Sequence, residues 1–182
     1  MNALKKSQVD LNREQLKQLD IIYPACALVW WRDYGWKETR IMRRFLTTQT
    51  VWDECADYGL EKSIFQMLED ETGIEMMLDG VKSYHEYAYF DAAMWNGKPL
   101  DMAQTIYMRQ QQKKWIAPMI LASVCISLHR DEKWGYERLA DFISKVDGLR
   151  RDLGEDPKAY YQKLYDVTGI NWRTMWRDEH KA

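Results

Sequence analysis

A chain of 182 residues, 46% hydrophobic and 30% charged, has the make-up of a folded globular protein and not of a disordered tail. Its net charge of −2 excludes a general basic coat for nucleic acid and equally a mimic of DNA by bulk negative charge. With 9 Gly and 4 Pro the chain has few of the turns an all-β fold needs, and three scattered cysteines (Cys26, Cys55, Cys125) favour reduced cytosolic thiols over a disulfide scaffold.

The first ten residues hold Lys5 and Lys6 but no apolar stretch, so no signal peptide is expected. Leu11, Leu16, Leu19 and Ile22 recur at helical spacing and predict a helix capped by Asp10 that ends or kinks near Pro24. A turn follows at Gly35. Beyond it Lys37, Arg40 and Arg44 fall one helical turn apart, with Arg43 beside them, a stripe able to track phosphates. A helix-turn-helix centred on Gly35 would make Trp36–Leu46 the recognition helix, although Trp31 stands where that motif wants a small residue and Arg44 at a usually buried position.

Leu60, Ile64, Phe65 and Leu68 form the next amphipathic stripe. Around it the acids crowd together: Asp53, Glu54, Asp57, Glu61, Glu69, Asp70, Glu71, Glu75 and Asp79, with Lys62 the one basic residue among them. Like charges one turn apart cost an isolated helix about 0.2–0.5 kcal/mol per pair. Such a stretch is either a solvated face or a surface complementary to a basic partner. Tyr84–Phe90 has strand-like composition but no second strand to pair with, and is read as helix.

Arg109–Lys114 is polar on every side, and Arg109, Lys113 and Lys114 make a second basic group. Trp115–Leu128 is apolar but too short to span a bilayer and contains Pro118, so it predicts a buried helix and no membrane contact. Leu139, Phe142, Ile143, Val146 and Leu149 give another helical stripe, Arg150 and Arg151 a third basic group, and Tyr160, Tyr161, Leu164 and Val167 a last stripe. All-α is therefore the expected class. Phe45, Phe142 and Leu164 are expected in the core.

Catalytic signatures do not survive inspection. His129-Arg130-Asp131 opens like a kinase catalytic loop, but Tyr136 stands where Asn is required, and neither a glycine-rich loop nor Asp-Phe-Gly exists. The glycines have no phosphate-loop spacing, and His85, His129 and His180 are not grouped as metal ligands. No catalytic residue, metal or cofactor is assigned.

Two segments resemble each other without a gap: Ile64–Met76 (IFQMLEDETGIEM) and Tyr160–Trp172 (YYQKLYDVTGINW). Upstream, Trp31–Trp36 faces His129-Arg130-Asp131 and Trp134-Gly135-Tyr136, and Arg40-Ile41 and Phe45-Leu46 face Arg138-Leu139 and Phe142-Ile143. This order suggests duplication of a helical unit of roughly fifty residues; convergence on common helix-turn chemistry is the alternative. It divides the chain into 1–77, a helical connector 78–114, and 115–182.

The Gly-aromatic turn followed by an arginine-bearing helix, GWKETRI and GYERLADFI, resembles small helical proteins of Firmicutes phages and, among these, type II-A anti-CRISPR proteins. The resemblance implies a non-enzymatic inhibitor that binds a CRISPR nuclease–guide RNA complex in the cytoplasm of the bacterial host. The near-neutral charge departs from the strongly acidic DNA mimics of that group, and mixed patches would suit contact with protein and nucleic acid together. The acids from Asp53 to Glu75 are the expected protein-facing surface, and the three basic groups the expected nucleic-acid contacts. A phage DNA-binding regulator using the Gly35 region is the alternative.

Overall fold

The computed structural model describes residues 2–57, 62–78, 81–82 and 101–172. Tyr84–Phe90, His85, His180, Leu60, Glu61 and Asp79 lie outside these, and Asp57 closes a helix with its side chain outside the described ones. The helices are α1 (Ala3–Tyr34), α2 (Glu38–Asp57), α3 (Lys62–Thr72), α4 (Met102–Glu132), α5 (Tyr136–Leu153) and α6 (Pro157–Thr168). The class is all-α, with one small addition that composition did not suggest. After α3, strands β1 (Met77–Leu78) and β2 (Val81–Lys82) pair antiparallel, Met77 opposite Lys82 and Leu78 opposite Val81.

Both long helices run through a proline. Asn2, not Asp10, caps α1, its side chain accepting from the Lys5 amide at 3.0 Å. The helix does not end at Pro24. An interior proline costs about 3 kcal/mol through a lost hydrogen bond and a ring clash, but Ile21–Trp30 is buried without interruption, and that packing outweighs the local cost. In α4, Asp101 and Gln104 form a reciprocal capping box, and the helix runs past Pro118 to Glu132. The polar run Arg109–Lys114 is therefore helical, and the division drawn after residue 114 falls inside α4.

Helices α1 and α4 lie side by side and point the same way. Near their starts Arg109 donates to the Leu4 carbonyl at 2.8 Å and the Ser7 hydroxyl at 2.9 Å; at their far ends the Tyr34 and Trp134 rings meet at 4.6 Å. Helices α2 and α3 pack on α4, and α5 and α6 on α1. Trp30 is the hub of the core, with its ring 5.1 Å from Trp36, 5.3 Å from Phe45 and 5.7 Å from Phe142. Phe45, Phe142 and Leu164 are all buried, as their stripes require, but Leu16 and Val167, counted into the first and last stripes, are exposed because they fall on the outward sides of α1 and α6.

The two Thr-Gly-Ile exits match bond for bond. Thr72 donates to the Leu68 carbonyl and accepts from the Ile74 amide, at 2.6 and 3.1 Å; Thr168 does the same with Leu164 and Ile170, at 2.7 and 3.0 Å. Gly73 and Gly169 take left-handed φ values of 73° and 76°, and both following isoleucines are buried.

Candidate functional site

The charged groups converge where α4 ends. Arg130 grips Glu71 with Nε and Nη2, at 3.0 and 2.8 Å, and Glu54 with Nη1 at 2.7 Å, which ties α2 and α3 to α4. The Glu71 hydrogen bonds are the main reason its guanidinium is held charged above the ordinary arginine range. On its other side the same turn of α4 faces α2. Arg44 pairs with Asp131 and Glu132, and Arg40 with Glu132. Burial opposes ionisation of Glu132, but the hydrogen bonds and charges of Arg40 and Arg44 outweigh it and lower its pKa.

Arg44 is only 4% exposed. Its Nη1 also donates to the Ser127 carbonyl at 3.2 Å and the Thr47 hydroxyl at 3.1 Å, while its buried Nε has no acceptor. Above it opens a groove of about 1000 Å³ between α2 and the end of α4, lined by Lys37, Arg40, Arg43, Arg44, Arg130 and Lys133 against Asp131 and Glu132. Among the described residues, no carboxylate pairs with Lys37, Arg43 or Lys133. Lys37 lies over the Trp31 ring at 4.4 Å, and Lys133 donates to the Arg130 carbonyl at 2.7 Å.

The corresponding turn at the end of α1 shows what the fold itself requires. The amides of Gly35 and Trp36 close on the Trp30 carbonyl, and Lys133 and Trp134 close on the Leu128 carbonyl in the same way. Arg40 covers Trp36 and Arg138 covers Trp134, each at 4.2 Å. These turns correct the register read from the sequence by one residue in α2 and by two at the turn: Gly35 answers to Lys133 and not Gly135, Phe142 takes the place of Arg44 and not of Phe45, and Tyr34 that of Glu132. There Phe142 is fully buried and Tyr34 bonds Asp141 at 3.2 Å. Lys133 holds a left-handed φ of 56° where its counterpart is Gly35, a conformation that costs a side-chain-bearing residue about 1 kcal/mol.

The expected acidic surface is divided by this arrangement. Glu54 and Glu71 are spent on Arg130, while Asp53 and Asp70 are exposed and accept from Gln49 and Gln66 on their own helices. Glu69 is half-buried and Glu75 exposed. The basic groups also separate. Lys37, Arg40, Arg43 and Arg44 share the groove; Arg109 and Lys113 line a cleft of about 250 Å³ between the starts of α1 and α4, with Lys114 exposed outside it. Arg150 sits 3.4 Å from Glu155 at the end of α5, with Arg151 exposed beside it.

The role of Arg130, Asp131 and Glu132 was not read from the sequence. The buried register of Arg44 was the available signal: a charge at a core position demands a counter-charge from elsewhere in the chain. His129, singled out with them, bonds the Trp134 carbonyl at 2.8 Å and braces the turn. Cys26 and Cys125 are buried, which pushes both thiols up and keeps them protonated. Among the described residues no group of His, Cys, Asp or Glu is arranged to hold a metal ion, and no helix is long and apolar enough to cross a membrane. Set against protein-family models, curated proteins and solved structures, the chain matches none of them.

Proposed function

We propose that the chain is a non-enzymatic binding protein that engages a guide-RNA-loaded type II-A CRISPR nuclease in the bacterial cytoplasm and inhibits it, with the α2–α4 groove as the contact surface. The observation that carries the reading is the groove's charge: Lys37, Arg43 and Lys133 stand at its rim beyond the balanced cluster of Arg40, Arg44, Asp131 and Glu132. A local excess of positive charge on a near-neutral chain suits one face of a nucleoprotein without general affinity for nucleic acid. The phage-protein resemblance of GWKETRI and GYERLADFI supplies the partner class. The matched turns and Thr-Gly-Ile exits support descent of the two halves from one duplicated unit.

A DNA-binding regulator is the second reading, favoured by the exposed Lys37 just before α2 and Arg40 and Arg43 on it. Against it, α2 packs mainly on α4 and meets α1 chiefly through Phe45, unlike the paired helices of a helix-turn-helix, and Arg40 is tied to Glu132. The test mixes the purified chain with guide-loaded nuclease and target DNA. Co-elution near one-to-one with suppressed cleavage supports the inhibitor. Cleavage unchanged at several-fold excess refutes it, and retardation of a duplex operator by the chain alone would favour the regulator.

A further inference from the structure

We infer that the α2–α4 groove is a phosphodiester-binding site that seats a single-stranded stretch of nucleic-acid backbone. The inference deepens the proposed function by assigning the contact to the partner's nucleic acid and not to its protein. Three observations converge on it. Arg44 is buried and charged at a place that the opposite half fills with Phe142, so packing does not demand an arginine there. Lys133 occupies a left-handed turn position that its counterpart gives to Gly35, and its ammonium, anchored on the Arg130 carbonyl, sets a cation at the rim at a backbone cost.

The third observation is the row itself. Lys37 just before α2, then Arg40 and Arg43 or Arg44 on it, succeed one another at intervals of about one helical turn, covering roughly 10 Å at 1.5 Å per residue. A repeating anion matches such a row better than an isolated carboxylate does. Asp131 and Glu132 fix the inner guanidinium groups in position, which leaves Lys37, Arg43 and Lys133 to neutralise phosphates.

The experiment measures anisotropy of labelled oligouridylate and oligothymidylate with the full chain across a salt series, with polyglutamate as competitor. RNA and DNA share the phosphodiester, and the two probes separate the sources. The combined variant Lys37→Ala, Arg43→Ala, Lys133→Gly leaves the Arg44 cluster intact, and circular dichroism verifies its fold. It should bind at least tenfold more weakly, with the log–log salt slope smaller by about two, since each phosphate contact on a single strand contributes about 0.7. Arg151→Ala, outside the groove, should change neither quantity. Equal losses in both variants, no loss in the combined variant, no binding of either oligonucleotide by the native chain, or polyglutamate displacing both probes would overturn the assignment. A chain that inhibits the nuclease yet binds neither oligonucleotide refutes this site alone; one that binds through the groove without inhibiting refutes the proposed function alone.

Discussion

Replacing Arg44 by Ala tests whether the end of α4 is held by charge. Removing one member of a fully buried ion pair costs about 3–5 kcal/mol, because the partner charge is left without compensation. Here the cost is smaller: Asp131 is 44% exposed and can turn to water, and Glu132 keeps Arg40. Lost bonds to the Ser127 carbonyl and Thr47 add to it. The expected loss is about 2–3 kcal/mol, which for a chain of this length lowers Tm by about 4–12 °C. A second variant, Arg44→Phe with Glu132→Tyr, copies the arrangement of Phe142 and Tyr34 and should recover to within about 1 kcal/mol of the native chain, since buried ion pairs are often replaceable by packed apolar groups. Urea unfolding followed by circular dichroism measures both. A loss below about 1 kcal/mol for Arg44→Ala, together with a double variant less stable than the single one, would refute the reasoning.

Gly73→Ala and Gly169→Ala should each cost about 1–2 kcal/mol in urea melts, and equally, because both need a left-handed φ while an added Cβ meets nothing closer than the Tyr136 ring at 3.9 Å. Phe142→Ala should cost about 3–5 kcal/mol by thermal melting, since the ring is fully buried between Trp30 and Trp134. Burial raises the pKa of Asp147, against the charges of Arg150 and Arg151, so ionisation costs stability as pH rises through its folded pKa. Asp147→Asn should therefore raise Tm at pH 7 and lose that advantage below the unfolded Asp value of about 3.9.

Much of the fold was legible because it is local. The stripes of α5 and, save for the exposed Val167, of α6, the Thr-Gly-Ile exits and the buried segment after Trp115 follow from spacing within a few turns. Pro24 does not end α1: a propensity argument is blind to Ile21–Trp30 being buried all round, where tertiary packing overrides the local penalty. The same blindness hid the site. Arg130 is 59 positions from Glu71 and Arg44 is 88 from Glu132, and no periodicity links residues so far apart. The acidic run was visible as composition; that Glu54 and Glu71 turn inward needed α4 in place.

The side-by-side, same-direction packing of α1 and α4 also sets a clock. Bundles made of neighbouring antiparallel hairpins close most contacts between residues near in sequence and fold in about microseconds to milliseconds. Here Leu4 waits for Arg109, 105 positions later, and Arg44 for the Ser127 carbonyl, 83 positions later. During synthesis at roughly 5–20 residues per second, the apolar surface of Ile21–Trp30 therefore stands uncovered for roughly 5–20 s before its partner helix leaves the ribosome. A chain cut before Met102 never receives that partner, so the first half is a substrate for chaperones and proteases and not a smaller version of the protein.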